Sequence, residues 1–237
     1  MPHALRFHAV RKNYGRLSVL RGIDLEIPAG EFCGLVGVNG AGKTTLIKSL
    51  LDLCAIDGGR IEIFGTTHKE TAARAHLAYL PERFLPPHYT TGRDFMELMR
   101  TLHAATYTAP QCEAVLAALD FDPGALAKPV RALSKGMAQK LGLAATLLSG
   151  KPLFVLDEPM SGLDPKARAL LKQYLLGLRG RQQTLFFSTH LLSDVEALCD
   201  RVAILHGGEL RFTGRPAECC AQFAAPTLEQ AYLRCVE

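Results

Sequence analysis

One stretch constrains this chain more than any other: Gly37-Val38-Asn39-Gly40-Ala41-Gly42-Lys43-Thr44, which satisfies G-x-x-x-x-G-K-[ST]. Its flanks supply the context that the pattern needs. Before it, Glu31 to Val36 reads as an apolar strand set off by the turn Pro28-Ala29-Gly30. After it, Leu46, Ile47, Leu50 and Leu51 fall on one helical face. In a strand–loop–helix of this kind the glycines let backbone N–H groups turn inward around phosphate oxygens, where larger side chains would clash. The helix adds the positive end of its dipole. Lys43 brings a full charge suited to the β- and γ-phosphates of a nucleotide, and the Thr44 hydroxyl can ligate Mg2+.

The remaining pattern is that of an α/β protein. Leu5, Phe7 and Ala9, and then Ile23, Leu25 and Ile27, alternate with polar residues at the two-residue period of half-buried strands. Short strands are expected at 59–65 and at Leu77 to Leu80. Helices follow over Arg93 to His103, Ala109 to Leu119 and Lys135 to Leu148, punctuated by Pro86-Pro87 and Asp122-Pro123-Gly124. Apolar strands return at Leu153 to Leu156 and Thr184 to Ser188, as central parallel strands would. Between these two lies a helix from Pro165 to Leu178, with Asp164 as its N-cap. His206-Gly207-Gly208 joins two last strands as a hairpin. Strand–helix alternation around a helical block implies an α/β core carrying a helical insertion.

Composition narrows the partners. Among 237 residues a net charge of +4, without a long Lys/Arg run, gives no footprint for nucleic acid. The seven cysteines show no C-x-x-C spacing and frame neither a zinc site nor a disulfide scaffold. No segment reaches the roughly 18 consecutive apolar residues of a membrane span. If the chain serves a membrane, another chain must cross it.

A second chemical signal is Phe154-Val155-Leu156-Asp157-Glu158, an apolar strand ending in two carboxylates. At a sheet edge beside the phosphate loop, Asp157 suits a Mg2+-holding position, and Glu158 can face the other way and polarise an attacking water. An acid pair that caps a helix before Pro159 is the plainer alternative.

Order turns these signals into a resemblance. Leu133-Ser134-Lys135-Gly136-Met137 opens a helix upstream of Asp157; Ser161-Gly162-Leu163-Asp164 follows Glu158; His190 ends the strand Ser188-Thr189-His190. Over nearly its whole length the chain resembles the ABC ATPases, with Walker A, signature, Walker B, D-loop and switch histidine in turn. The resemblance implies a single domain over 1–237: a P-loop NTPase core of the RecA type, an antiparallel β subdomain and a helical subdomain inserted at about 83–150. It implies ATP held by residues 37–45, Thr45 included, with adenine stacked on Tyr14. Thr44, Asp157 and Glu82 would hold Mg2+; Lys43, Asp157, Glu158 and His190 would serve hydrolysis. It further implies a head-to-tail dimer in which Ser134, Lys135, Gly136 and Met137 cover the partner's ATP and Asp164 lies in the D-loop. The Leu-Ser-Lys-Gly-Met form is similar to that of type-2 exporter ATPases. By the same likeness the chain is peripheral, on the cytoplasmic face of a membrane, with an integral permease docked on the helical subdomain.

Several features stand apart from the family pattern. Lys135 and Met137 replace the commoner Gly and Gln, and Glu82 stands where Gln is usual. A carboxylate ligates Mg2+ more strongly but, ionised, donates no hydrogen bond. An iron–sulfur assembly ATPase or a nucleotide-binding regulator is an alternative reading. Chromosome-maintenance relatives would show sustained heptads before the signature, and none occurs here. For the permease, Phe84, Leu85 and Met99 are expected to form an exposed apolar groove, with Phe95, Leu98 and Met99 on one helical face and Leu98 packed inside.

Overall fold

A computed structural model describes residues 2–237. The chain opens with β1 (His3–Tyr14), β2 (Leu17–Pro28), β3 (Phe32–Val36), α1 (Lys43–Leu50), β4 (Gly58–Ile63), β5 (Thr66–Thr67), α2 (Thr71–Arg74) and β6 (Leu77–Leu80). Helices α3 (Gly92–His103), α4 (Ala109–Ala118) and α5 (Lys135–Leu147) follow. The core resumes with β7 (Leu153–Asp157), α6 (Pro165–Leu176), β8 (Thr184–Thr189), α7 (Leu192–Leu198), β9 (Arg201–His206) and β10 (Glu209–Gly214), and ends in α8 (Pro216–Gln222) and α9 (Leu228–Val236). Among the described residues no helix is long and apolar enough to cross a membrane.

Two sheets result. One is antiparallel in the order β2-β1-β4-β5; the other runs β10-β9-β3-β8-β7-β6. In the second, β9, β3, β8, β7 and β6 are parallel and only β10 reverses. Parallel strands buried on both faces are largely apolar, and β3, β7 and β8 are buried at every position, with the polar Asp157, Thr184, Ser188 and Thr189 confined to strand ends. Alternate residues feed two cores. Cys33, Leu35, Val155 and Phe186 face the antiparallel sheet and the Leu46, Ile47 and Leu50 side of α1. Phe32, Val36, Phe154, Leu156 and Phe187 face the later helices. Each Leu, Val or Phe sealed this way contributes about 1.5–3 kcal/mol.

Register sets the site. Leu35 lies beside Ser188, and Ser188 beside Asp157, so β3, β8 and β7 end at one level. Gly37, His190 and Glu158 therefore leave the same sheet edge, the carboxyl end where open α/β sheets place ligands.

The expected groove is not formed. Phe84 is half-buried, its ring edge-on to Phe95 with centroids 5.4 Å apart. Met99 also packs against the core. Leu98, expected inside, is exposed, as is Leu102 one turn on. Helix α3 is capped at its start, where the Thr91 hydroxyl accepts from the Asp94 N–H and the Asp94 carboxylate accepts from Thr91 in return. From that origin Gly92, Phe95 and Met96 are buried and Leu98 turns out. Of the proposed groove residues only Leu85 is exposed.

All seven cysteines are free. Burial pushes the Cys33 thiol up to about 12, which keeps it protonated.

Candidate functional site

The loop between β3 and α1 wraps the floor of a cleft of about 640 Å³. Gly42, the residue before α1, holds φ +110°, and a Cβ there would stand 3.1 Å from the Val19 carbonyl oxygen. Only glycine meets both demands. Val38, Asn39, Gly40, Gly42, Lys43, Thr44 and Thr45 line the cleft, whereas Gly37 and Ala41 are buried beneath it. Tyr14, at the end of β1, stands half-exposed on the rim, with Lys12 Nζ 5.1 Å from its ring centroid.

Lys43 is buried, and its ammonium donates to the Gly37 carbonyl at 2.7 Å. It lies 3.4 Å from Glu158 Oε1, an ion-pair distance without a well-formed hydrogen bond. The other Glu158 oxygen accepts from His190 Nδ1 at 2.9 Å. Cation, carboxylate and imidazole thus meet in one cleft, with Glu158 largely enclosed and His190 open to solvent.

Glu158 takes φ +48° at the end of β7. The turn sends its side chain towards Lys43 while Asp157 stays buried in the sheet. Ser188 holds both acids: its hydroxyl donates to Asp157 Oδ1 at 2.5 Å and accepts the Glu158 N–H at 2.9 Å. Asp157 Oδ2 is left buried without a hydrogen-bond partner. An orphaned carboxylate oxygen of this kind fits a cation. Among the described residues no group of three or more His, Cys, Asp or Glu could hold a metal unaided. That composition suits Mg2+, which takes one or two carboxylates and completes its shell with phosphate and water. Glu82, exposed, lines the same cleft. Burial, followed by the nearby Asp157 and Glu82 carboxylates, pushes the Tyr79 phenol above its ordinary value.

Val19, Ser161 and Ser188 also belong to this site; the sequence passed over Val19 and gave Ser161 and Ser188 no role of their own within the stretches 161–164 and 188–190. Ser188 carried a signal, a hydroxyl in the otherwise apolar Leu185-Phe186-Phe187-Ser188. Ser134, Lys135, Gly136 and Met137 lie outside the cleft, at the start of α5, where the Ser134 hydroxyl accepts the Met137 N–H. Asp164 also lies outside, capping α6 through the Ala167 N–H at 2.9 Å. That bond, and then Lys140, hold its carboxyl below the usual range.

A family model described as ABC transporter matches residues 20–161. The chain belongs to the ABC transporter family. It is 37% identical over 207 residues to an uncharacterized ABC transporter ATP-binding protein of Synechocystis sp., covering 86% of this chain and 58% of that protein. It is 34% identical over 225 residues to the Nod factor export ATP-binding protein I of Paraburkholderia xenovorans, covering 92% and 73%. A solved ATP binding subunit of an ABC transporter superposes with a TM-score of 0.89 at 28% identity, over 98% of this chain and 99% of that one. The chain spans only 58% and 59% of the Synechocystis and Nostoc relatives. The α/β P-loop fold expected from the sequence is the fold of this ABC protein.

Proposed function

We propose that this chain binds and hydrolyses ATP and couples that reaction to movement of a substrate through a separate membrane chain. The observation that carries the reading is the meeting of Lys43, Glu158 and His190 in one cleft above the orphaned Asp157 oxygen.

Loop N–H groups and Lys43 bind the phosphates, and Tyr14 offers a stacking face for the base. Thr44, Asp157 and Glu82 would hold Mg2+, which neutralises charge on the β- and γ-phosphates. Glu158 orients the attacking water and accepts its proton; His190 fixes the Glu158 carboxylate through the 2.9 Å hydrogen bond. Lys43 also neighbours Glu158 and donates to the Gly37 carbonyl, so one ammonium links the phosphate loop to the water-activating carboxylate.

The N-terminus of α5, with Ser134 as its cap, offers donors to the γ-phosphate held by a second copy in a head-to-tail dimer. ATP favours the closed dimer and hydrolysis reopens it, a population shift driven by ligand. Export is supported by the relatives named for Nod factor export. It is supported also by the Leu-Ser-Lys-Gly-Met form at 133–137.

Glu158→Gln is expected to keep ATP binding and to lower phosphate release by about 10²–10⁴-fold. Wild-type turnover in that variant would overturn the assignment.

A further inference from the structure

Lys140 is a buried cation that the proposed chemistry leaves without work. It sits on α5, beyond the Ser134 cap, and its ammonium donates to the Asp120 carbonyl at 3.0 Å. It also lies 3.6 Å from Asp164 Oδ2 and 3.9 Å from Asp120 Oδ2. A buried ammonium needs such partners, because stripping its water without replacing it is costly.

Asp164 is where the link reaches the site. One of its oxygens caps α6 and the other faces Lys140. Between Glu158 and Asp164 the chain makes two consecutive tight turns: Ser161 N–H donates to the Glu158 carbonyl at 3.0 Å, and Leu163 N–H to the Met160 carbonyl at 3.3 Å. This loop is short and internally bonded, so a shift at Asp164 is passed back to Glu158. The start of α5 also passes close to this loop, for a Cβ at Gly136 would stand 3.0 Å from the Gly162 carbonyl oxygen. Helix α5 thus lies against the loop at Gly136 and is tied to it through Lys140.

We propose that Lys140 is a positioning residue that locks the Glu158 loop to α5, so that the water-activating carboxylate and the Ser134 end of α5 move together. The inference rests on the reading above, in which those two parts face different ATP molecules. Lys140 then carries the state of one ATP site to the other within a single chain.

The test compares Lys140→Met, Lys140→Arg and Asp164→Asn in the full chain. Asn caps a helix as well as Asp does, so the last variant removes the ion pair and keeps the cap. Lys140→Met is expected to hold KM for ATP and lose kcat by about 10–100-fold, the scale of a misplaced reacting group. Lys140→Arg should restore most of that loss. The double variant with Asp164→Asn should be no worse than Lys140→Met alone, because Lys140→Met has already broken the Lys140–Asp164 pair. Amide exchange at Ser161 and Leu163, without nucleotide, should quicken in Lys140→Met and Asp164→Asn, with β3 amides unchanged.

Unchanged kcat with unchanged loop exchange would overturn the proposal, as would losses that multiply in the double variant. Should Lys140→Met fail to fold, unaltered loop exchange in Asp164→Asn would overturn it on its own. The exchange measurement needs no turnover. A wild-type chain without ATPase, whose loop still loosens in Asp164→Asn, would sink the ATPase reading and sustain the link.

Discussion

Glu158 occupies backbone space that non-glycine residues avoid, at φ +48°. Such a conformation costs about 1–3 kcal/mol and persists only where its surroundings hold it. Here the holders are visible: Ser188 on its N–H, and Lys43 and His190 on its carboxylate. The sequence showed the acid pair and the lysine, because motif spacing reports which backbone positions face an anion. It did not show Val19 or the roles of Ser188 and Ser161, because Val19 and Ser188 are placed by register between distant strands and Ser161 by the turn after Glu158. Glu82 poses the sharpest question at this scale. With Asp157 and Glu158 it makes the cation side of the cleft strongly acidic. Glu82→Gln is therefore expected to raise the Mg2+ concentration for half-maximal ATPase severalfold, and no further, since solvent screens an exposed carboxylate. An unchanged Mg2+ dependence would show that Glu82 acts through the helical segment or not at all.

Elements were legible where one physical cause set them. β6 and the run from Leu153 were plain because a strand buried on both faces must be apolar, and α6 because Asp164-Pro165 caps and starts it. β1 was harder. Alternation breaks at Ala9, where φ is +47° and the register slips, so burial moves from Leu5 and Phe7 to Val10. The facing of α3 was missed because its hydrophobes form one broad stripe, whose inner part is taken by Phe95 and Met96 while Leu98 and Leu102 fall at its exposed margin. Packing between elements adds a demand that no local pattern announces. A Cβ on Gly34 of β3 would meet Val195 Cγ2 at 2.9 Å and Cys199 Sγ at 3.0 Å. Those atoms belong to α7 and its cap, directly after His190. Gly34→Ala is expected to lose about 1–3 kcal/mol in denaturant unfolding, the range for overpacked cores. Adding Val195→Ala should return part of that loss, and a double variant weaker than either single would contradict the contact.

At the scale of the whole molecule the question is what the helical segment could present to the membrane chain proposed above. Leu85, Tyr89, Leu98 and Leu102 are exposed on it, while Phe84, Phe95 and Met96 are spent on its own packing. Scattered surface hydrophobes are ordinary and carry no meaning alone. Leu98 and Leu102, however, stand one turn apart on α3, the spacing at which two side chains form a single apolar strip. A short amphipathic helix from a loop of the membrane chain would bury that strip. Because both leucines are exposed, Leu98→Asp and Leu102→Asp should shift folding stability by no more than about 0.5 kcal/mol. Phe84→Asp should destabilise the fold far more, since its ring packs on Phe95 and crowds Gly142. The double variant Leu98→Asp/Leu102→Asp is therefore expected to bind ATP, melt with the wild type and yet fail to sediment with membranes from the cells that make it. If it sediments at wild-type levels, the membrane chain docks on another face. If it melts early instead, α3 needs those leucines for its own packing, and the strip is core.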